Sequence, residues 1–166
     1  FNDAQKDLIE PALAGTENVL STVNATASVK RVVLTSSTAA IYGDTIECVS
    51  TPNGKFDEDN WNTTSSATHQ PYSYSKTLAE RAAWKIAEDQ DRWTLVVINP
   101  AFVIGPTLSG KSTSATHDIF CQLGDGKMKA GAPPFAIGMV DVRDVADAHI
   151  RSAYIKKASG RHMIFN

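Results

Sequence analysis

Two short runs of apolar and β-branched residues, at positions 30–36 and 93–98, constrain the fold of this chain more than any other feature. Each is bounded by polar residues and lacks the alternation of a half-exposed strand, so each predicts a strand buried on both faces. Between them, from Tyr72 onward, small and apolar residues recur at helical spacing. Strands that alternate with helices indicate right-handed βαβ crossovers. The sequence therefore predicts an α/β fold, with a parallel sheet that carries helices on both faces.

The remaining segments extend this alternation. Apolar residues recur at steps of three and four between Leu8 and Val23, which predicts a helix that Pro11 either kinks or begins. Residues 44–70 are rich in Thr, Ser, Asn, Asp and Gly without a sustained period, which predicts a long loop of the kind that is usually functional or mobile. Further predicted elements are a weaker helix at 117–123, a short strand at 138–140, a helix capped by Asp141 and a strand at 161–165.

Composition narrows the class of protein. The 16 Lys and Arg residues nearly balance the 18 Asp and Glu residues, which argues against a nucleic-acid-binding protein. Apolar runs are far shorter than the roughly 20 residues that span a bilayer, so no membrane partner is expected. The two cysteines have no Cys or His at metal-finger spacing, and the acidic run at 57–59 indicates a solvated turn, so no metal site is expected. The chain begins with Phe1 and shows no signal peptide, which favours a cytoplasmic location.

Polar side chains gather where the predicted strands end, and ligands of parallel sheets bind at such ends. The first strand runs into four consecutive hydroxyl residues at 35–38, and the second is followed by an apolar, proline-bounded segment at 100–106. Tyr72 and Lys76 are four positions apart, so they share one helix face. An ammonium beside a phenol favours its ionised form, so Lys76 is expected to lower the pKa of Tyr72 toward neutrality. With a serine hydroxyl to stabilise a substrate oxygen, the arrangement predicts carbonyl chemistry.

These segments resemble the extended short-chain dehydrogenase/reductase superfamily, which includes NAD-dependent epimerases and dehydratases. Within it they are similar to the branch of dihydroflavonol 4-reductase, cinnamoyl-CoA reductase and the fungal and bacterial aldehyde and ketone reductases. The Tyr-x-x-x-Lys pair alone is a weak pattern, but several blocks in the family's order are a strong one. The main blocks are Lys30-Arg31-Val32-Val33-Leu34-Thr35-Ser36-Ser37, Tyr72 with Lys76, Asn99-Pro100-Ala101-Phe102-Val103-Ile104-Gly105-Pro106, and Asp141-Val142-Arg143-Asp144-Val145-Ala146.

The resemblance implies an NADP(H)-dependent oxidoreductase that reduces an aldehyde, ketone or dihydroflavonol-like carbonyl to an alcohol, with NADP(H) expected in preference to NAD(H). Tyr72 would donate the proton, Lys76 would lower its pKa and bind the nicotinamide ribose, and the cofactor would supply the hydride. A small-molecule carbonyl substrate and a monomer or homodimer are expected. By position, the catalytic residues are Ser37, Tyr72 and Lys76, the cofactor-binding residues are Thr35, Ser36, Tyr72, Lys76, Pro100 and Val103, and the substrate-contacting residues are Thr38 and Tyr42.

One assignment has a competitor. In sugar epimerases of the superfamily the catalytic hydroxyl lies four residues before the tyrosine of a Tyr-Gly pair, and Tyr42-Gly43 would then select Thr38. The interval from Ser37 to Tyr72 matches the reductase branch, which favours Ser37. Two alternative functions remain beside carbonyl reduction. They are a nucleotide-sugar epimerase or dehydratase, and a non-catalytic NAD(P)-binding regulator, against which the intact Tyr72 and Lys76 pair argues.

The chain departs from the family at its start. Family members begin with a strand and a glycine-rich turn that holds the cofactor pyrophosphate, whereas the first glycine here, Gly15, falls inside a predicted helix. The chain is therefore expected to be an internal segment of a Rossmann-like doubly wound parallel sheet, carrying its catalytic half and part of a smaller C-terminal substrate-binding region. The predicted division is 1–106 for the nucleotide-binding half, 107–137 for a substrate-region insertion and 138–166 for a returning strand, helix and strand.

Overall fold

The computed structural model describes residues 2–108, 114–131 and 137–166. A π-helical turn, Gln5–Ile9, leads into the first α-helix, and short 3₁₀ helices cover Thr38–Ala40 and Thr45–Ser50. The α-helices are α1 (Glu10–Ala25), α2 (Pro71–Glu88), α3 (Ala115–Gly124) and α4 (Val142–Tyr154). The strands are β1 (Arg31–Thr35), β2 (Thr94–Pro100), β3 (Phe102–Ile104), β4 (Met139–Asp141) and β5 (Gly160–Ile164).

The main sheet is parallel, as predicted, and has the order β1-β2-β5. Val33 of β1 lies opposite Val96 of β2, and Ile98 of β2 lies opposite His162 of β5. The helix α2 connects β1 to β2, and α4 precedes β5. Because all three strands run the same way, their carboxyl ends meet at one edge, and the polar segments that follow β1 and β2 lie there together.

Helices pack on both faces of this sheet. On one face, Leu95 and Val97 of β2 form a buried core with Leu20 of α1, Ala83 of α2 and Trp93. The alternate β2 residues, Val96 and Ile98, are also completely buried, and α4 is in contact with both β1 and β2. Residues of a strand alternate between faces, so the two sets define two separate apolar layers. The fold is thus the Rossmann-like, doubly wound arrangement that the sequence predicts.

One prediction about the strands is wrong, and one strand was not predicted. The run at 30–36 is not buried on both faces: residues of β1 are half-buried, and Thr35 is exposed. Within the described residues β1 is paired only with β2, whereas β2 lies between two strands and is buried from Leu95 to Pro100. The apolar segment at 100–106, for which no strand was predicted, contains β3, because Phe102–Ile104 pairs in parallel with β4.

Residues 44–70 form the expected long connection, apart from the 3₁₀ helix Thr45–Ser50, and hydrogen bonds tie it to the sheet end. The backbone N–H of Asn62 donates to the carbonyl of Ala40 at 3.0 Å. The side-chain amide of Asn62 donates to the carbonyl of Ala39 at 2.8 Å. At the other end, the side chains of His69 and Gln70 both contact the carboxylate of Asp44. The connection is therefore held against the turn that follows β1.

The predicted helix signals occur where the sequence places them. Pro11 lies in the first turn of α1, after the π-helical segment, and the helix predicted from Tyr72 onward is α2, which begins at Pro71. Asp141 caps α4 by accepting a hydrogen bond from the Arg143 backbone N–H at 2.8 Å. The helix predicted at 117–123 is α3, and residues 109–113 and 132–136 of the predicted 107–137 insertion lie outside the described residues. No helix in the described ranges is long and apolar enough to cross a membrane.

Candidate active site

The carboxyl end of β1 places Ser36 and Ser37 beside β2. The backbone N–H of Ser36 donates to the carbonyl of Ile98 at 2.7 Å, which continues the parallel ladder beyond the strand. Ser37 remains extended and caps the 3₁₀ helix that follows, because its hydroxyl accepts from the Ala39 N–H at 3.1 Å. The cap and the ladder together fix the direction of the Ser37 side chain.

The first turns of α2 place Tyr72 and Lys76 opposite this serine. The Lys76 Nζ lies 5.9 Å from the centre of the Tyr72 ring, and the phenol is 52% exposed. The Ser37 hydroxyl lies close enough to the Tyr72 phenol to lower the pKa of Tyr72. Ser37, Tyr72 and Lys76 therefore meet as the sequence predicts, although they come from two elements more than thirty residues apart.

The direction of the Tyr72 pKa differs from the sequence-based expectation. Partial burial raises the pKa of Tyr72, and the Ser37 hydroxyl opposes this rise without cancelling it. Burial also lowers the pKa of Lys76. Withdrawal from water disfavours the charged form of either group, and it is the largest cause of both pKa shifts. In this structure Lys76 does not bring the phenol toward neutral titration, and Tyr72 keeps its proton at neutral pH.

A single cavity of about 720 Å³ is lined by all nine residues selected from the sequence. These are Thr35, Ser36, Ser37, Thr38, Tyr42, Tyr72, Lys76, Pro100 and Val103. The catalytic, cofactor-binding and substrate-contacting roles assigned to them remain predictions. Ser114 and Thr116 of the 107–137 segment, together with Ile137, complete part of the wall. A neighbouring apolar cavity of about 540 Å³ is also lined by Thr38 and Tyr42, so the two cavities share part of their wall.

Thr35 and Tyr42 each contact a side chain from another part of the chain. The Thr35 hydroxyl lies 2.6 Å from Nε2 of His149, whose Nδ1 lies 2.7 Å from the Val145 carbonyl. Since that carbonyl is only an acceptor, Nδ1 carries the proton in neutral His149, and Thr35 donates to Nε2. The Tyr42 ring stacks on Phe56, with ring centres 4.7 Å apart and planes inclined by 14°. The loop that contains Phe56 therefore forms part of the wall of the neighbouring cavity of about 540 Å³.

Three residues without a role predicted from the sequence join the strand ends behind the cavity. They are Glu80, Asn99 and Arg161. The carboxylate of Glu80 accepts hydrogen bonds from Ser36 and from the Asn99 amide, and it forms a buried ion pair with Arg161. One signal was available in the sequence, because Tyr72, Lys76 and Glu80 follow each other at intervals of four and share a helix face. Within the described ranges, no cluster of three or more His, Cys, Asp or Glu side chains could hold a metal ion.

Known proteins resemble this chain over nearly its whole length. The model of the NAD dependent epimerase/dehydratase family matches residues 2–166. Tetraketide alpha-pyrone reductase 2 of Arabidopsis thaliana is 38% identical over 164 residues, which cover 96% of this chain and 49% of that protein. NADPH-dependent methylglyoxal reductase GRE2 of Saccharomyces cerevisiae is 34% identical over 181 residues, which cover 99% of this chain and 52% of the relative.

A similar solved structure is the NADPH complex of Gre2 from Candida albicans, with a TM-score of 0.77 and 31% identity. The match covers 99% of this chain and 52% of that one. The chain therefore spans about half the length of the relatives it matches. The match of the family model to residues 2–166 shows that the chain belongs to the NAD dependent epimerase/dehydratase family.

Proposed function

We propose that the full-length protein is an NADP(H)-dependent oxidoreductase that reduces an aldehyde, ketone or dihydroflavonol-like carbonyl to an alcohol. The observation that carries this proposal is the meeting of Ser37, Tyr72 and Lys76 in one cavity. Relatives at 30% identity or more that are named as reductases support it.

The cavity walls fit the nicotinamide end of such a cofactor. Buried Pro100 and half-buried Val103 offer an apolar surface to a flat ring, and Tyr72 and Lys76 offer a hydroxyl and an ammonium to a ribose. The proposed cofactor-binding set also includes Thr35 and Ser36. The preference for NADP(H) follows the relative that is named NADPH-dependent and the Gre2 complex with NADPH. When bound, the cofactor supplies the hydride.

The protein's own residues would protonate the substrate oxygen and stabilise its charge. As the carbonyl carbon gains a hydrogen, charge develops on its oxygen, and the Tyr72 hydroxyl transfers a proton to that oxygen. Ser37 donates a hydrogen bond to the same oxygen and stabilises the developing charge. The Lys76 ammonium then stabilises the phenolate that Tyr72 becomes, until a proton from water restores the phenol. Thr38 and Tyr42 would contact the rest of the substrate.

The test is oxidation of NADPH by the full-length protein in the presence of a panel of aldehydes, ketones and dihydroflavonols, with NADH measured in parallel. We expect turnover with NADPH, and we expect Tyr72→Phe to reduce kcat at least about 100-fold, since general acid catalysis contributes roughly 10²–10⁴-fold. The matched control is Tyr74→Phe, which removes the same atom two positions along the same helix and should leave kcat within about twofold.

Two results would contradict the proposal. One is full activity of Tyr72→Phe. The other is that the protein binds a UDP-sugar while no carbonyl of the panel causes net consumption of cofactor. That result would favour an epimerase or dehydratase. In that case Thr38→Ala, rather than Ser37→Ala, should cause the larger loss of activity.

A further inference from the structure

The Glu80 carboxylate is buried beneath the active site and fully engaged. It is 1% exposed and lies on α2, one turn beyond Lys76 and two turns beyond Tyr72. A buried carboxylate is costly unless hydrogen bonds and an opposite charge compensate for its lost hydration. Glu80 has both, because Oε2 accepts from the Ser36 hydroxyl and from Asn99 Nδ2 at 2.8 Å, and Oε1 accepts from Arg161 Nε at 2.5 Å.

These partners come from the ends or interiors of all three strands of the main sheet. Ser36 follows β1, Asn99 belongs to β2 and Arg161 belongs to β5. The Asn99 amide also donates to the carbonyl of Ser37 at 3.1 Å. One carboxylate on the helix that carries Tyr72 and Lys76 is thus connected, through a single amide, to the backbone of the serine opposite them.

Arg161 extends the connection to the turn after Ser37 and to the long loop. Its guanidinium donates to the carbonyls of Glu58 at 2.9 Å, Asn60 at 2.5 Å and Ala40 at 3.3 Å. The guanidinium also lies 3.9 Å from the ring centre of Trp61. Both charged side chains of the ion pair are almost completely removed from water, so neither is free to move to other partners.

We propose that Glu80 is a positioning residue, which sets the distance and angle between Ser37 and the Tyr72–Lys76 pair through Ser36, Asn99 and Arg161. It touches no reacting atom. Its effect on turnover rests on the proposed carbonyl reduction, whereas its effect on the geometry of Ser37 and Tyr72 does not. A displacement of about 1 Å at a reacting group can cost roughly 100-fold in rate.

The test uses Glu80→Gln in the full-length protein. Glutamine has nearly the same shape, but its NH₂ group faces donors from Ser36, Asn99 or Arg161, so part of the network must separate. We expect kcat, counted per NADPH-binding site, to fall about 10- to 100-fold, with the KM for NADPH within about twofold. Counting by binding site removes any effect of a smaller folded fraction. The matched control is Glu88→Gln, an exposed position two turns further along the same helix, which should change neither constant.

A second measurement does not depend on turnover. If Glu80 holds Ser37 against Tyr72, Glu80→Gln should move the alkaline titration of Tyr72 upward in the protein without cofactor, in the same direction as Ser37→Ala. Glu80→Asp keeps the charge on a shorter side chain. Its kcat and its Tyr72 titration should both lie between those of Glu80→Gln and the wild type. Should the glutamine variant not fold, the aspartate variant decides alone, with intermediate values of both quantities expected.

The outcomes separate the two proposals. A lower melting temperature with unchanged kcat per binding site and an unchanged Tyr72 titration would overturn the positioning role and leave Glu80 as a structural residue. If the wild-type protein reduces no carbonyl, the proposed function fails. The titration of Tyr72 in the Glu80 variants then still confirms or overturns the positioning role.

Discussion

The protonation state of Tyr72 is decided at the scale of single residues. Burial raises its pKa above the ordinary value near 10, and the Ser37 hydroxyl reduces that rise. A raised pKa in the folded chain means that the protonated phenol is favoured by folding. The corresponding stability is present below pH 10 and is lost as the pH rises through the raised pKa. A phenol that keeps its proton at neutral pH is in the state that a proton donor needs.

This gives a direct prediction. In a spectrophotometric titration of tyrosine absorbance, the component that is present in the wild type and missing in Tyr72→Phe should titrate above pH 10. In Ser37→Ala it should move further upward, because the Ser37 hydroxyl, which opposes the rise, is removed. A Tyr72 component below pH 10 would restore the sequence-based view, in which Lys76 lowers the phenol pKa.

At the scale of elements, β2 carries the stability of the sheet. Ile98 is completely buried on the face toward α4 and lies next to the strand end that bears the site. Ile98→Ala should lower the free energy of unfolding by about 2–5 kcal/mol, because it removes buried methyl groups and leaves a cavity. Denaturant unfolding measures the change. Ile46→Ala, at a side chain that is 71% exposed, should stay within about 0.5 kcal/mol of wild type. A similar loss for both variants would show that β2 is not the core of the sheet.

At the scale of the whole molecule, the strands differ in how completely they are paired. Within the described ranges β2 has a neighbour on each side, while β1 has one on the β2 side alone and is half-buried. Local opening costs least where few buried contacts and hydrogen bonds are lost. In native-state hydrogen exchange of the 166-residue chain, we therefore expect β2 amides to exchange more slowly than those of β1. Equal protection of the two strands would mean that the outer edge of β1 is covered, for example by a second copy of the chain, and would favour a homodimer over a monomer.

Local patterns in the sequence were sufficient for most elements. The β-branched runs predicted β1 and β2, and the helical spacing of apolar residues predicted α1 and α2. Asp141 marked the start of α4. The three-residue strand β3 could not be found in this way, because its only strand partner in the described ranges is β4, more than thirty residues away. Three residues carry too little periodicity to distinguish a strand from a turn.

Some features of the site likewise follow from the sequence, and others depend on the tertiary structure. The sequence by itself determined the residue types and their order, namely a hydroxyl cluster after one strand, Tyr72 and Lys76 on one helix face, and an apolar segment after the next strand. All nine residues that the family resemblance assigned by position line one cavity, since parallel strands bring their carboxyl ends to one edge. Only the tertiary structure decided the raised pKa of Tyr72 and the burial of Glu80 between Ser36, Asn99 and Arg161. Desolvation and long-range hydrogen bonds depend on which distant segments exclude water from a group, and residue spacing carries no such information.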